Sequence, residues 1–202
     1  MNMHDPQTLI VGAVLLVAAI GAVVLVARER KRVQSRRLQE QFGPEYNRVV
    51  SKAGDRDKAE AELKAREARV ERLQLVALPV AEATRFTEEW KLLQSRFVDN
   101  PTGVVAGADQ LVRELMLKRG YPVGDFERRA ADISVHHPKV VENYRAAQAI
   151  AVREARGEAT TEDLRKAVVH YRELFDDLLE VNELRKPKPV VAVASARKKE
   201  VV

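Results

Sequence analysis

The feature that most constrains this chain is a run of twenty residues without a charged side chain, from Thr8 to Ala27. Twelve of the twenty are Leu, Ile or Val. As a helix the run is about 30 Å long, which is the hydrocarbon thickness of a bilayer. At roughly −0.4 kcal/mol per such residue, these side chains favour insertion by about 5 kcal/mol. The run therefore predicts a transmembrane helix over residues 8–27.

The charges that flank this run predict its orientation. Residues 1–7 contain no Lys or Arg, whereas six cations follow the run: Arg28, Arg30, Lys31, Arg32, Arg36 and Arg37. Because such cations stay on the cytoplasmic side, we expect a short extracytoplasmic N-terminus over residues 1–7 and a cytoplasmic location for everything after the span. A cleaved signal peptide, the competing interpretation, carries its cations before the apolar stretch. The same six cations are suited to contact anionic lipid headgroups.

Small residues within the run bear on oligomeric state. Ala18, Gly21 and Ala22 lie at helical spacing, which allows two spans to approach closely as a homodimer. Small residues are common in membrane spans, so a monomeric anchor is the alternative.

The net charge of +5 and the pI of about 9.5 raise the question of nucleic-acid binding. The excess belongs to two flanks, with a net +5 over residues 28–37 and a net +4 over residues 183–202, while residues 38–182 carry a net −3. Phosphate contacts need a basic face, which a net −3 disfavours, so we do not expect the domain to bind nucleic acid. Whether the basic tail contacts lipid or RNA stays open.

The absence of cysteine excludes disulfides, thiolate catalysis and cysteine-ligated metal sites.

The rest of the chain predicts an all-α fold. Apolar residues recur at helical spacing, without the alternation of a strand. The span should continue as one helix until Gly43-Pro44, and Asn100, Asp125 and Thr160 are suited to cap later helices. The predicted organisation is an N-terminal transmembrane helix, a basic juxtamembrane and charged helical arm over residues 28–78, a helical bundle over 79–183 and a disordered basic tail over 184–202.

Chemistry-bearing motifs are sparse. No phosphate-binding loop or nucleophile elbow occurs, and the histidines lack metal-ligand spacing, so we expect no metal or cofactor. His137, before Pro138, stands at the expected start of a helix, and two Tyr-Arg pairs lie in the last two long helices. The candidate ligand or partner contacts are His136, His137, Tyr144, Arg145, His170 and Arg172. Surface, cap and ion-pair roles explain the same residues without a ligand.

Four short motifs resemble a family of uncharacterised bacterial single-span membrane proteins. They are Phe42-Gly43-Pro44-Glu45-Tyr46, Arg119-Gly120-Tyr121-Pro122-Val123, Ser134-Val135-His136-His137-Pro138 and Thr161-Glu162-Asp163-Leu164-Arg165. The resemblance implies placement in the bacterial inner membrane and implies no activity.

These observations favour a membrane-tethered cytoplasmic interaction or scaffold protein with an unknown protein partner. The alternative is a membrane-anchored enzyme or small-ligand sensor that gathers the six candidate residues in a pocket between the C-terminal helices.

Overall fold

The chain folds into helices throughout the part described by the structure, a computed structural model. The backbone is described for residues 6–180, and the side chains for residues 15, 16 and 19–179. The described residues form eight helices and no strand, which confirms the all-α prediction. The helices are α1 (Pro6–Phe42), α2 (Pro44–Ala53), α3 (Arg56–Glu71), α4 (Val80–Ser95), α5 (Pro101–Lys118), α6 (Phe126–His136), α7 (Val141–Glu154) and α8 (Thr161–Glu180).

Local sequence signals set most helix boundaries. α1 ends at Gly43, whose φ of 51° is in the left-handed region, and Pro44 then opens α2. The side chains of Asn100 and Asp125 each accept a hydrogen bond from the backbone N–H three residues on, at 2.9 Å. Thr160 accepts in the same way from Asp163, at 3.2 Å. The predicted continuation of α1 and the three predicted caps are thus confirmed.

His137 is an exception, because it ends a helix where the sequence predicted that it starts one. Its N–H donates to the carbonyl of Ile133 at 2.8 Å and so closes α6, while α7 begins four residues later at Val141. The imidazole is buried and pairs with Asp177 of α8. The helix end at His137 agrees with Pro138, which disfavours helical backbone at the residue before it, whereas the pairing with Asp177, forty residues away along the chain, could not be read from local signals.

One apolar core joins the arm to the bundle. Leu38 and Phe42 at the end of α1 belong to the same buried cluster as residues of α8, so the core is continuous across the predicted boundary between residues 78 and 79. At its centre α8 packs against α5 and α7. Five of the larger side chains buried in this core are Trp90, Leu111, Tyr171, Leu174 and Phe175.

The predicted membrane span occupies the first half of α1. In the part of the chain that the structure describes, no helix combines the length and the apolar content that a membrane crossing needs. The predicted span over residues 8–27 therefore has no support from this finding, and the side chains of residues 8–14, 17 and 18 lie outside the described ones. Residues 1–5 and the predicted tail over 184–202 also lie outside the described residues.

Candidate functional site

The adjacent histidines at the end of α6 engage different partners. The Nδ1 of His136 lies 3.1 Å from the hydroxyl oxygen of Tyr121, whereas Nδ1 of His137 pairs with the carboxylate of Asp177. The two imidazole rings are nearly perpendicular, at 88°, with their centroids 6.5 Å apart. Burial raises the pKa of Tyr121 to about 12, so its hydroxyl stays protonated at neutral pH. The two rings therefore do not converge on one ligand position.

Tyr144 is a core residue with a satisfied hydroxyl group. Its hydroxyl oxygen accepts a hydrogen bond from Nε of Arg129 at 2.9 Å. The ring contacts Phe126 and Tyr171, at centroid distances of 4.9 Å and 6.2 Å. Burial raises the pKa of both Tyr144 and Tyr171, so neither tyrosine is suited to lose a proton near neutral pH.

Arg145 extends from α7 to a buried carboxylate on α2. Its Nη2 lies 2.9 Å from Oε1 of Glu45, and its Nη1 lies 3.0 Å from Oε2 of Glu127. From α3, Nη1 of Arg66 reaches the same Oε1 of Glu45 at 3.0 Å. Glu62 completes the group by pairing with Arg66. We call these five residues the Glu45 cluster.

The Glu45 cluster joins the arm to the bundle. Glu45 is only 1% exposed, and its charge is balanced by guanidinium groups from α3 and α7. Glu45 also lies in the first turn of α2, where the helix dipole favours an anion. A buried carboxylate held by guanidinium groups from two other helices is a structural contact between those helices.

A second polar contact ties α3 to α6. Nε of Arg69 donates to Oδ1 of Asp132 at 2.8 Å, and Asp132 is fully buried. Together with the Glu45 cluster, this pair fixes α3 against two helices of the bundle.

Sequence reasoning missed the central role of Glu45, although a signal was present. Glu45 is four residues before Val49 on α2, and the side chain of Val49 is buried. That spacing places the carboxylate on the apolar face of α2. On α3, Arg66 is three residues after Leu63 and four residues before Val70, and both of these apolar side chains are buried. In the sequence, Arg66 appears only as a charge that interrupts an apolar stripe. A charge on each of two apolar faces was the signal for a buried pair.

The remaining candidates lie nearer the surface of α8. The Nδ1 of His170 is 3.1 Å from Oδ1 of Asn143, and the exposed Arg172 pairs with Asp176 at 3.3 Å. Each of the six candidate residues thus has a different partner, and their contacts do not converge on one position. Within the described side chains, no group of three or more His, Asp or Glu residues is placed to hold a metal ion.

The six cations after the predicted span divide into three sets. Lys31 pairs with Asp57 at 2.6 Å and Arg37 with Glu67 at 3.1 Å, so these two tie α1 to α3. Arg32 lies 3.8 Å from Glu29 on the same helix. Three cations are exposed and form no ion pair with another described side chain, namely Arg28, Arg30 and Arg36.

Comparisons with protein-family models, with curated proteins and with solved structures gave no match. The resemblance to uncharacterised bacterial single-span membrane proteins therefore stays a prediction, and function has to be argued from the geometry of α1 and its contacts.

Proposed function

We propose that this protein is a membrane-tethered helical scaffold that holds an interaction domain on the cytoplasmic face of the bacterial inner membrane. The observation that carries the proposal is that the two halves of α1 have different surroundings. One continuous helix, Pro6–Phe42, exposes the apolar side chains described between Leu15 and Val26 and buries its last turns in the domain core.

The exposed apolar side chains of α1 need lipid or protein around them to exclude water. Leu15, Leu16, Ile20, Val23 and Leu25 are each more than half exposed. A contiguous apolar surface of this kind is rare on monomers in water and marks a contact with lipid or protein. A bilayer would cover all sides of the helix at once, which suits side chains that point in every direction.

The second half of α1 fixes the domain relative to the anchor. Ser35, Leu38 and Phe42 are buried against the domain, and the Lys31–Asp57 pair adds a contact closer to the predicted span. From Ala27 to Ser35 the helix rises about 12 Å, so the domain would stand just clear of the lipid headgroups. No glycine or proline interrupts this segment. Such a rigid connection suits a protein that presents a surface at a set height.

Unpaired cations would contribute to the same arrangement. Arg28, Arg30 and Arg36 are exposed at the level of the headgroups and are suited to contact anionic lipid, at about 1 kcal/mol each. Lys31 and Arg37 are already engaged by α3, so we assign them to positioning the domain.

The enzyme or sensor alternative requires the six candidate side chains to meet in one pocket. Because their hydrogen bonds and ion pairs lead to six different partners, no observation favours that alternative, and we do not propose it.

The test combines membrane extraction with reporter fusions on the full chain. We expect the chain to resist alkaline extraction, and a fluorescent reporter fused after Val202 to be active while a periplasm-dependent phosphatase is not. Leu16→Arg should weaken retention, since a central arginine costs about 2.5 to 3.5 kcal/mol on insertion. The matched control is Leu92→Arg on α4, because Leu92 is similarly exposed, at 56% against 63% for Leu16. Release of the unmodified chain by alkali, or an active phosphatase, would contradict the proposal.

A further inference from the structure

The turn between α2 and α3 lies at the end of the domain that is nearest to the predicted span. Two ion pairs fix the direction of α3, because Lys31 contacts Asp57 at 2.6 Å and Arg37 contacts Glu67 at 3.1 Å. The residue numbers rise together in the two helices, so α3 runs parallel to α1. The first residues of α3 are therefore level with the part of α1 that follows the span directly.

α2 approaches this turn from the far side of the domain. Glu45, at the start of α2, contacts Arg66 late in α3, whereas Tyr46 contacts Glu60 earlier in α3. The two helices are thus antiparallel. Gly54 ends α2 with a φ of 66°, and a Cβ atom at this position would have open space around it. We call residues 52–58 the α2–α3 turn, which is an exposed tip of the domain.

The position of Lys31 along α1 sets the height of the α2–α3 turn. Lys31 is four residues after Ala27, the last residue of the predicted span, which corresponds to a rise of about 6 Å. The polar layer of a bilayer extends about 5 to 8 Å beyond the hydrocarbon core on each side. Ser35, the first buried side chain described in α1, is about 12 Å beyond Ala27. The turn would therefore reach the headgroups, although the core of the domain stands clear of them.

Two lysines give the α2–α3 turn its free charge. The charged residues of the turn are Lys52, Asp55, Arg56, Asp57 and Lys58. One carboxylate caps α3, the other pairs with Lys31, and the arginine pairs with Glu60 at 3.0 Å. Lys52 and Lys58 are exposed, and neither forms an ion pair with another described side chain. The tip thus presents two unneutralised cations at the level of the headgroups.

The stability of α3 does not explain why a cation stands at Lys58. This residue lies in the first turn of α3, where the helix dipole disfavours a positive charge. An anion outside the protein would offset this unfavourable position. The cytoplasmic leaflet of a membrane carries a negative surface potential, and its headgroups are the anions found at this height.

We infer that the α2–α3 turn is a second lipid-contact surface, at which Lys52 and Lys58 bind anionic headgroups of the membrane that holds α1. The inference rests on the proposed function, because the span sets the height of the turn. Membrane-spanning helices tilt by about 20° on average. A second contact on the domain itself would restrict that tilt and hold the rest of the domain in a fixed orientation towards the cytoplasm.

Quenching of a fluorescent probe by labelled lipid tests the contact in the full chain. The native chain has no cysteine, so Ser51→Cys, at an exposed position beside Lys52, accepts a single fluorophore. Ala68→Cys is the control position, because Ala68 is exposed on α3 and lies about 16 Å farther along that helix than Asp57. Both proteins are reconstituted in vesicles of phosphatidylcholine and phosphatidylglycerol in equal parts. A nitroxide high on the acyl chain of one lipid or the other is the quencher.

The anionic lipid should quench the Ser51 probe at least about threefold more strongly than phosphatidylcholine does. The reason is that one lysine near the surface favours an anionic headgroup by a factor of about five. Lys52→Glu with Lys58→Glu should remove most of this preference. At Ala68 the two lipids should quench equally, because that position is beyond the headgroups.

The matched charge control is Lys139→Glu with Lys166→Glu. Both lysines are exposed, lie in the bundle and form no ion pair with another described side chain. This double variant changes the net charge by the same amount and should leave the lipid preference at Ser51 unchanged. Equal quenching by the two lipids at Ser51, or a preference that both double variants lower alike, would overturn the contact.

Alkaline extraction of the same vesicles keeps the two proposals apart. A chain that resists alkali but shows no lipid preference at Ser51 contradicts the lipid contact alone. A chain that alkali releases, and whose Ser51 probe nevertheless prefers anionic lipid at neutral pH, contradicts the anchor alone.

Discussion

Glu45 and Arg145 lie one hundred residues apart in the chain and form a two-point ion pair, with Nη2 to Oε1 at 2.9 Å and Nε to Oε2 at 3.2 Å. Both side chains are almost fully withdrawn from solvent, at 1% and 11% exposure. Arg66 approaches the same carboxylate from α3. The contact joins the buried anion Glu45 of the arm to the bundle, alongside the Arg69–Asp132 pair and the shared apolar core.

Removing this anion should destabilise the domain strongly. Glu45→Gln removes the buried counter-ion of Arg66 and Arg145 and leaves them only the exposed carboxylates of Glu62 and Glu127, and we expect a loss of about 3 to 5 kcal/mol in the free energy of unfolding. Denaturant unfolding in detergent can be followed by the fluorescence of Trp90, the single tryptophan, which stacks on Phe175. Glu162→Gln is the control, because Glu162 pairs with Arg165 at the surface.

Apolar replacement of the three most buried members of the Glu45 cluster is the complementary experiment. Glu45→Leu with Arg66→Met and Arg145→Met should recover most of the stability, since well-packed apolar side chains often substitute for buried ion pairs without loss. A triple variant as unstable as Glu45→Gln would show that the packing, and not the unpaired charges, causes the loss.

Leu174 tests the apolar core of the bundle. It is fully buried on α8, the helix that packs against α5 and α7, so Leu174→Ala should lower the free energy of unfolding by about 2 to 5 kcal/mol. Val169→Ala is the control on the same helix, because Val169 is 46% exposed. Its effect should stay within about 0.5 kcal/mol. Similar losses for the two variants would contradict the assigned face of α8.

Glu60 predicts an acid-dependent part of the stability. Burial alone raises the pKa of this carboxyl group, but hydrogen bonds from Ser35, Tyr46 and Arg56 outweigh it and lower the pKa below the ordinary 4.5. The folded state thus favours the ionised form, and the resulting stability is present above pH 4.5 and disappears as the pH falls through the folded-state pKa.

The stability advantage over Glu60→Gln should therefore shrink as the pH is lowered below about 4.5. Unfolding curves for both proteins between pH 7 and the acid range measure this difference. A constant or growing difference would show that the hydrogen bonds of Glu60 do not favour its ionised form.

Gly120 tests a close approach of two backbone segments after α5. Its φ is +89°, and a Cβ atom would lie 2.7 Å from the carbonyl oxygen of Gln74. Gly120→Ala should therefore combine conformational strain with a steric clash and cost more than the 1 to 2 kcal/mol or so that a left-handed backbone alone costs. Gly157→Ala is the matched control, because Gly157 has a φ of +71° and open space around it. Equal losses in the two variants would contradict the close contact with Gln74.

The sequence by itself determined the helical class and most of the helix boundaries, because these depend on groups within about four residues of one another. The caps at Asn100, Asp125 and Thr160 are of this kind, as is the break at Gly43. The apolar stripe that contains Leu174 could likewise be predicted, since helical spacing alone places it on one face.

Only the tertiary structure decided which charged residues are buried and what they contact. Arg145 and Arg172 occur in the same Tyr-Arg motif, yet Arg145 neutralises Glu45 inside the fold while Arg172 pairs with Asp176 at the surface. His137 ends α6 directly before Pro138, but its pairing with Asp177 depends on how α6 and α8 pack. The physical reason is that burial of a charge is favourable only where a partner of opposite sign meets it, and that meeting depends on how distant helices pack.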